Sequence, residues 1–141
     1  MILYHITPVK NLNSILEYGL IPNNGFVFLA ESREACIQLA PFIAALQVLK
    51  RQGTRIKQNM RTLSQFLVCK SIEGCCFAVD MSGLEQRIKS RTNVHVEEYL
   101  KGNIVPLTEY MYPYTIPPER IIDYEFFDFE YYELKPPRGV E

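Results

Sequence analysis

Apolar and polar residues alternate over Met1 to Ile6, where branched and aromatic side chains are concentrated, and this period of two predicts a strand that Pro8 ends. The spacing then changes. Val9, Leu12, Ile15, Leu16 and Leu20 recur every three or four residues, predicting an amphipathic helix with one buried stripe. Thr7 or Pro8 is placed to open that helix, Gly19 stands where a left-handed C-terminal cap is wanted, and Pro22 prevents continuation. Asn23-Asn24-Gly25 predicts a turn, because Asn and Gly tolerate positive φ, and Phe26 to Ala30 predicts a second strand.

Ser32 is a candidate N-cap for a second helix whose apolar positions are Cys36, Ile37, Leu39, Ala40, Ile43, Ala44, Leu46 and Leu49, kinked at Pro41 and ended by Gly53. Ile56 to Val68 predicts a further helix, with Ile56, Met60, Leu63, Phe66 and Leu67 on one side. Strand character returns at Gly74 to Met81. Lys89 to Gly102 is polar, with a strand expected near Val94 to Tyr99, and Leu107 to Tyr114 alternates again. Ile116 to Ile121 predicts a rigid crossing into a long strand over Ile122 to Leu134. Helices early and strands late predict an α+β domain with curved, mostly antiparallel sheets. That domain is expected to occupy residues 1–135, with Pro136, Pro137 and Gly139 marking a frayed tail over 136–141.

Composition narrows the class. A chain of 141 residues, 48% hydrophobic and 12% aromatic without low-complexity tracts, is expected to form one packed core. Its apolar runs, such as Leu39 to Leu49, are too short to span a bilayer, and no secretory signal is visible, so the cytoplasm is the expected compartment and no membrane partner is expected. Cys36, Cys69, Cys75 and Cys76 lack paired zinc-ligand spacing, and Cys75-Cys76-Phe77 reads as buried strand with inert thiols. No metal is expected. The net charge is only −1, but it is segregated: residues 35–72 hold no carboxylate while carrying Lys50, Arg51, Arg55, Lys57, Arg61 and Lys70, and 123–133 is acidic without a basic residue. A local basic face of this kind suits phosphates, although a solvated helix face has the same pattern.

The candidate chemistry begins with His5, which on residue type alone is most simply a packed histidine making one or two hydrogen bonds. Its setting changes that reading. The string Tyr4-His5-Ile6-Thr7 followed by Asn11-Leu12, Ile15-Leu16 and Gly19-Leu20, then Val27-Phe28-Leu29-Ala30, and finally Glu109 ahead of Ile116-Pro117-Pro118-Glu119-Arg120-Ile121, resembles the ADP-ribosyltransferase-fold family. The likeness is to its histidine-bearing branch, which includes DarT-like DNA ADP-ribosylating toxins and, more distantly, the RNA 2'-phosphotransferases. It covers three blocks, about residues 2–32, 76–84 and 107–122.

The resemblance implies NAD as substrate, lying across a cleft between the strands of Tyr4-His5 and Glu109. His5 would hydrogen-bond a ribose hydroxyl, Tyr4, Thr7 and Ala30 would also bind the cofactor, with Thr7 beside its adenine or ribose, and Asn11 at the helix start would order the loop. Phe28 stands where a tyrosine usually stacks on nicotinamide. Stacking is thus retained and the hydroxyl lost, and its parity with Phe26 equally allows a core role. Glu109 would stabilise the positive charge that develops on ribose as the glycosidic bond breaks. Tyr110, Tyr112 and Tyr114 are expected on the opposite face of the Glu109 strand, and Glu119 is expected to cap or to pair with Arg120.

The acceptor would sit beside the loop of about Lys101 to Leu107, and Lys50, Arg51, Arg55, Lys57 and Arg61 favour nucleic acid over protein there. The paired arginines that bind an RNA 2'-phosphate have no counterpart around His5, which weakens the phosphotransferase expectation. Two alternatives from other classes remain open: a non-catalytic nucleotide- or partner-binding module on the same fold, and a structural protein pairing through its tyrosine-rich C-terminal strand.

Overall fold

The computed structural model describes residues 1–23, 25–40, 67–93 and 107–134. These build an α+β domain on a single six-stranded sheet in which each adjacent pair of strands runs antiparallel. The strands are β1 (Ile2–Pro8), β2 (Val27–Ala30), β3 (Leu67–Asp80), β4 (Lys89–Asn93), β5 (Leu107–Tyr112) and β6 (Ile121–Leu134), in the order β4-β5-β2-β1-β3-β6.

The first helix, α1, spans Leu12–Tyr18 after a 3₁₀ turn at Val9–Asn11. Gly19 ends it with the expected positive φ, 85°, but with an extended ψ of −170° rather than the left-handed helical value, and its N–H donates to the Ile15 carbonyl. The turn at its start is not capped by Thr7. The Thr7 hydroxyl instead accepts a hydrogen bond from Asn11 Nδ2 at 2.8 Å, so Asn11 orders this loop. A second helix, α2, occupies 33–40, with the Ala35 N–H donating to Ser32 Oγ at 3.0 Å, the cap that Ser32 predicted.

One expectation is corrected. Leu67 and Val68, assigned to the end of a helix from their 3.6-residue spacing, form the start of β3, which pairs with β6 from Leu67↔Leu134 onward. A 14-residue partner strand supplies backbone hydrogen bonds along its length, and local spacing alone cannot anticipate that competition. The strand that follows the Ser82-Gly83 turn is Lys89–Asn93, while Val94 to Tyr99 lies outside the described residues. The rest of the second helix, the remainder of the 56–68 segment, the basic positions Lys50 to Arg61 and the 136–141 tail also lie outside them.

One face of the sheet carries the main core: Leu3, Val27, Leu29, Cys75, Phe77, Val79 and Tyr112, closed by Ile15, Leu20, Met81 and Ile116. The Leu20–Ile116 bridge, with N–H···O bonds of 2.9 Å in both directions, ties the end of α1 to the segment leaving β5. The opposite face is covered by α2, whose Ala35, Cys36, Leu39 and Ala40 are buried. Arg120 does not rely on its neighbour Glu119: its Nη1 donates to the carbonyls of Asp80, at 3.0 Å, and Ser82, at 2.8 Å, locking the turn after β3. Among the described residues no helix is long and apolar enough to cross a membrane.

Candidate functional site

β1 pairs with β3 at all seven of its residues, from Ile2↔Asp80 to Pro8↔Gly74. Against β2 it makes one register pair, Tyr4↔Ala30. The sheet therefore divides down its middle beyond Tyr4, and the division opens a cleft of about 440 Å³, within the roughly 300–1,000 Å³ of small-molecule sites. Its walls are the C-terminal half of β1, the turn and helix that follow, strand β2, and Cys36, Leu39 and Ala40 of α2. The physical cause lies in the sequence: Pro8 ends β1, and the Asn23–Phe26 bridge, with Gly25 at φ 91°, brings the chain back into a strand of only four residues.

His5 spans this division. Its Nδ1 lies 2.8 Å from the carbonyl oxygen of Phe28. A carbonyl only accepts, so Nδ1 carries the hydrogen. Burial pushes the imidazole below its ordinary pKa, with the bond to Phe28 acting in the opposite direction, so the neutral ring is favoured. Neutral with Nδ1–H, the ring leaves Nε2 as a bare acceptor, the form able to receive a hydrogen bond from a hydroxyl.

Tyr4, His5, Thr7, Phe28 and Ala30 all line the cleft. Phe28 is half-buried, lies outside the main core cluster, and meets Phe26 edge-on with ring centroids 6.4 Å apart. Its neighbours Val27 and Leu29 point into the core, so Phe28 takes the other face. Tyr4 has the Arg33 guanidinium 5.4 Å from its ring centroid, and Arg33 pairs with Asp123 at 3.3 Å and approaches Glu125 at 3.1 Å outside hydrogen-bond geometry.

Glu109 stands differently from the other candidates. It does not line the cleft, and it is 1% exposed. Yet it occupies the same cross-strand row: Glu109 is opposite Ala30, and Ala30 is opposite Tyr4. Residues opposed in an antiparallel sheet project to one side, so the carboxylate shares its face with the Tyr4 ring, separated by a single methyl group. Arg91 of β4 is the register partner of Glu109 on its other side. Tyr110 and Tyr112 take the opposite face, where Tyr112 is in the core, whereas Tyr114 lies past the strand, is half-exposed and holds the Arg87 guanidinium 5.2 Å from its ring centroid.

The sequence reading missed several cleft residues. Lys10 and Ser14 lie on the polar side of the first helical segment and read as ordinary solvent-facing positions, and Phe129 comes from a strand almost a hundred residues away. Leu39 and Ala40 read as core. The place of Lys10 in the cleft follows from the β1–β2 division, which no local pattern encodes.

The thiols behave as two groups. Cys75 faces the core, where burial pushes it up to about 11. Cys36 of α2 meets Cys76 of β3: their hydrogen bond pushes the Cys36 thiol well up, burial adding to it, and holds Cys76 below its ordinary value. Both are free. Among the described residues no group of His, Cys, Asp and Glu is arranged to hold a metal ion. No family model matches this chain, and no curated protein matches it.

Proposed function

We propose that the protein is an NAD-dependent ADP-ribosyltransferase of the ADP-ribosyltransferase fold. The observation that supports this reading is the convergence of three separate sequence blocks on one divided sheet. His5 and Phe28 both line one cleft, from opposite faces of the sheet, and Glu109 shares the Tyr4–Ala30 row on the Phe28 side.

NAD, as substrate, lies along the division with a ribose hydroxyl donating to His5 Nε2 and nicotinamide against Phe28. The bond between the ribose anomeric carbon and the nicotinamide nitrogen breaks, and its electron pair leaves with neutral nicotinamide. Positive charge builds on the ribose and the Glu109 carboxylate stabilises it more in the transition state than in the ground state. The acceptor's lone pair then bonds to the anomeric carbon, and the acceptor gives up its proton to water. Ala30 matters because only a small side chain in the middle of the row leaves a carboxylate one strand away within reach of a ligand beside Tyr4. The charge pattern of Lys50, Arg51, Arg55, Lys57 and Arg61 favours nucleic acid as acceptor.

A second reading, a non-catalytic module that binds a nucleotide in the same cleft, is favoured by the burial of Glu109 and by Phe28 in the tyrosine position. One experiment separates them. Nicotinamide release is measured for wild type and for Glu109→Gln, which keeps the shape of the buried side chain, with DNA, RNA and cell lysate as acceptors. The enzyme reading expects release that falls about 10²–10³-fold in the variant, the usual effect of removing one electrostatic group from a reacting centre. Equal NAD binding by both proteins with no release from either overturns it in favour of the binding module.

A further inference from the structure

We infer that Lys10 is the residue that receives the diphosphate of the dinucleotide, an assignment that rests on the NAD reading above. Lys10 carries the only formal charge among the described residues lining the cleft, and none of these is a carboxylate. A cleft with one cation and otherwise neutral polar groups is matched to an anionic ligand: a carboxylate beside the cation would cancel it, and a diphosphate without a counter-charge would lose hydration uncompensated.

The position of Lys10 is determined by the fold. It lies in the 3₁₀ turn Val9–Asn11, five residues beyond His5, where the chain leaves β1 and starts the wall formed by α1. The turn is anchored on both sides. Asn11 Nδ2 donates to Thr7 Oγ1 at 2.8 Å, and Ile15, one turn further on, is buried in the main core. Ser14, four residues after Lys10, lines the same wall. Among the described residues no carboxylate lies within ion-pair distance of Lys10, so its ammonium is not committed to the protein itself. Lys10 is exposed and lines the cleft, so its charge can meet a ligand without first being buried. Phosphate is a suitable partner for an ammonium acting as a point charge with three donors.

The test is direct binding of NAD by calorimetry at low salt to wild type, Lys10→Gln, Lys10→Glu and Lys10→Arg. Each protein is first shown by thermal melting to be folded, as expected for an exposed residue. Loss of one charge-assisted contact to phosphate predicts about a ten- to hundredfold weaker Kd for Lys10→Gln, a larger loss for Lys10→Glu, and recovery in Lys10→Arg. The wild-type advantage should shrink as salt rises. Wild type that binds NAD while Lys10→Glu binds equally well overturns the assignment and leaves the NAD reading standing. So does equal weakening in Lys10→Gln and Lys10→Arg, which would report shape rather than charge. Wild type that does not bind NAD overturns the NAD reading and the assignment together.

Discussion

Gly19 closes α1, lines the cleft and abuts the segment after β5, so a methyl group added there tests how the cleft wall is held. Two costs are separable. At φ 85° an L side chain is strained by about 1–2 kcal/mol whatever its surroundings. In addition, a Cβ at position 19 would collide with the Ile116 carbonyl oxygen and lie 3.1 Å from Pro117 Cα, all backbone that cannot rotate aside. That carbonyl accepts from the Leu20 N–H at 2.9 Å, and the Ile116 N–H returns a bond of 2.9 Å to Leu20. Displacing it endangers both, at residues 2% and 0% exposed where water cannot replace a lost partner. At about 1 kcal/mol net per bond and more where a group is left unsatisfied, the collision adds about 2–4 kcal/mol.

Gly19→Ala is therefore expected to cost about 3–6 kcal/mol, a large part of the roughly 5–15 kcal/mol available to a domain. Gly83→Ala provides the control: its φ is 82°, but nothing lies within 4 Å of the added Cβ, so only the strain remains, about 1–2 kcal/mol. Urea denaturation of the three proteins measures the difference, and amide exchange at Leu20 and Ile116 locates it. If Gly19→Ala and Gly83→Ala lose the same stability, or if the Leu20 and Ile116 amides stay protected in Gly19→Ala, this bridge does not position the cleft wall.

Because burial holds His5 below its ordinary value of 6.5, the unfolded chain takes up its proton first as pH falls. The contribution of neutral His5 to stability is complete above pH 6.5 and is lost progressively below it; urea midpoints between pH 8 and 5 should fall more steeply for wild type than for His5→Gln, and parallel profiles would refute this. Phe28→Ala should cost clearly less stability than Phe77→Ala, about 3–5 kcal/mol for the fully buried ring, while weakening NAD binding severalfold; a larger stability loss for Phe28 would make it a core residue. Arg120→Ala removes donors to two carbonyls at 2.8 and 3.0 Å and should cost about 1–2 kcal/mol by denaturation, with faster amide exchange at Ser82 and Leu84; unchanged exchange there would show that the Asp80–Ser82 turn holds itself.

Local chemistry in the sequence determined the elements whose signals are contained in a few residues. The alternation of Met1 to Ile6, the positive φ at Gly19, the Ser32 cap and the turn closed by the Asn23–Phe26 bridge each depend on short-range sterics or hydrogen bonding, and each is found where it was expected. The same is true of Phe77 and the paired cysteines as buried strand, because an unbroken apolar run has no solvent face to offer. Leu67 and Val68 went the other way: their helical spacing yielded to a 14-residue strand partner that lies far along the chain.

The candidate site was legible as residue types but not as an arrangement. His5, Phe28 and Glu109 could be named from their motifs, whereas the division between β1 and β2, the Nδ1–H form of His5 and the burial of Glu109 arise from strand order and register, which are properties of long-range pairing. Lys10 is the clearest case. In sequence it is one charge on a polar helix face, and it becomes the sole described charge of a cleft only because β3, rather than β2, takes the whole length of β1 and leaves the other side of that strand open.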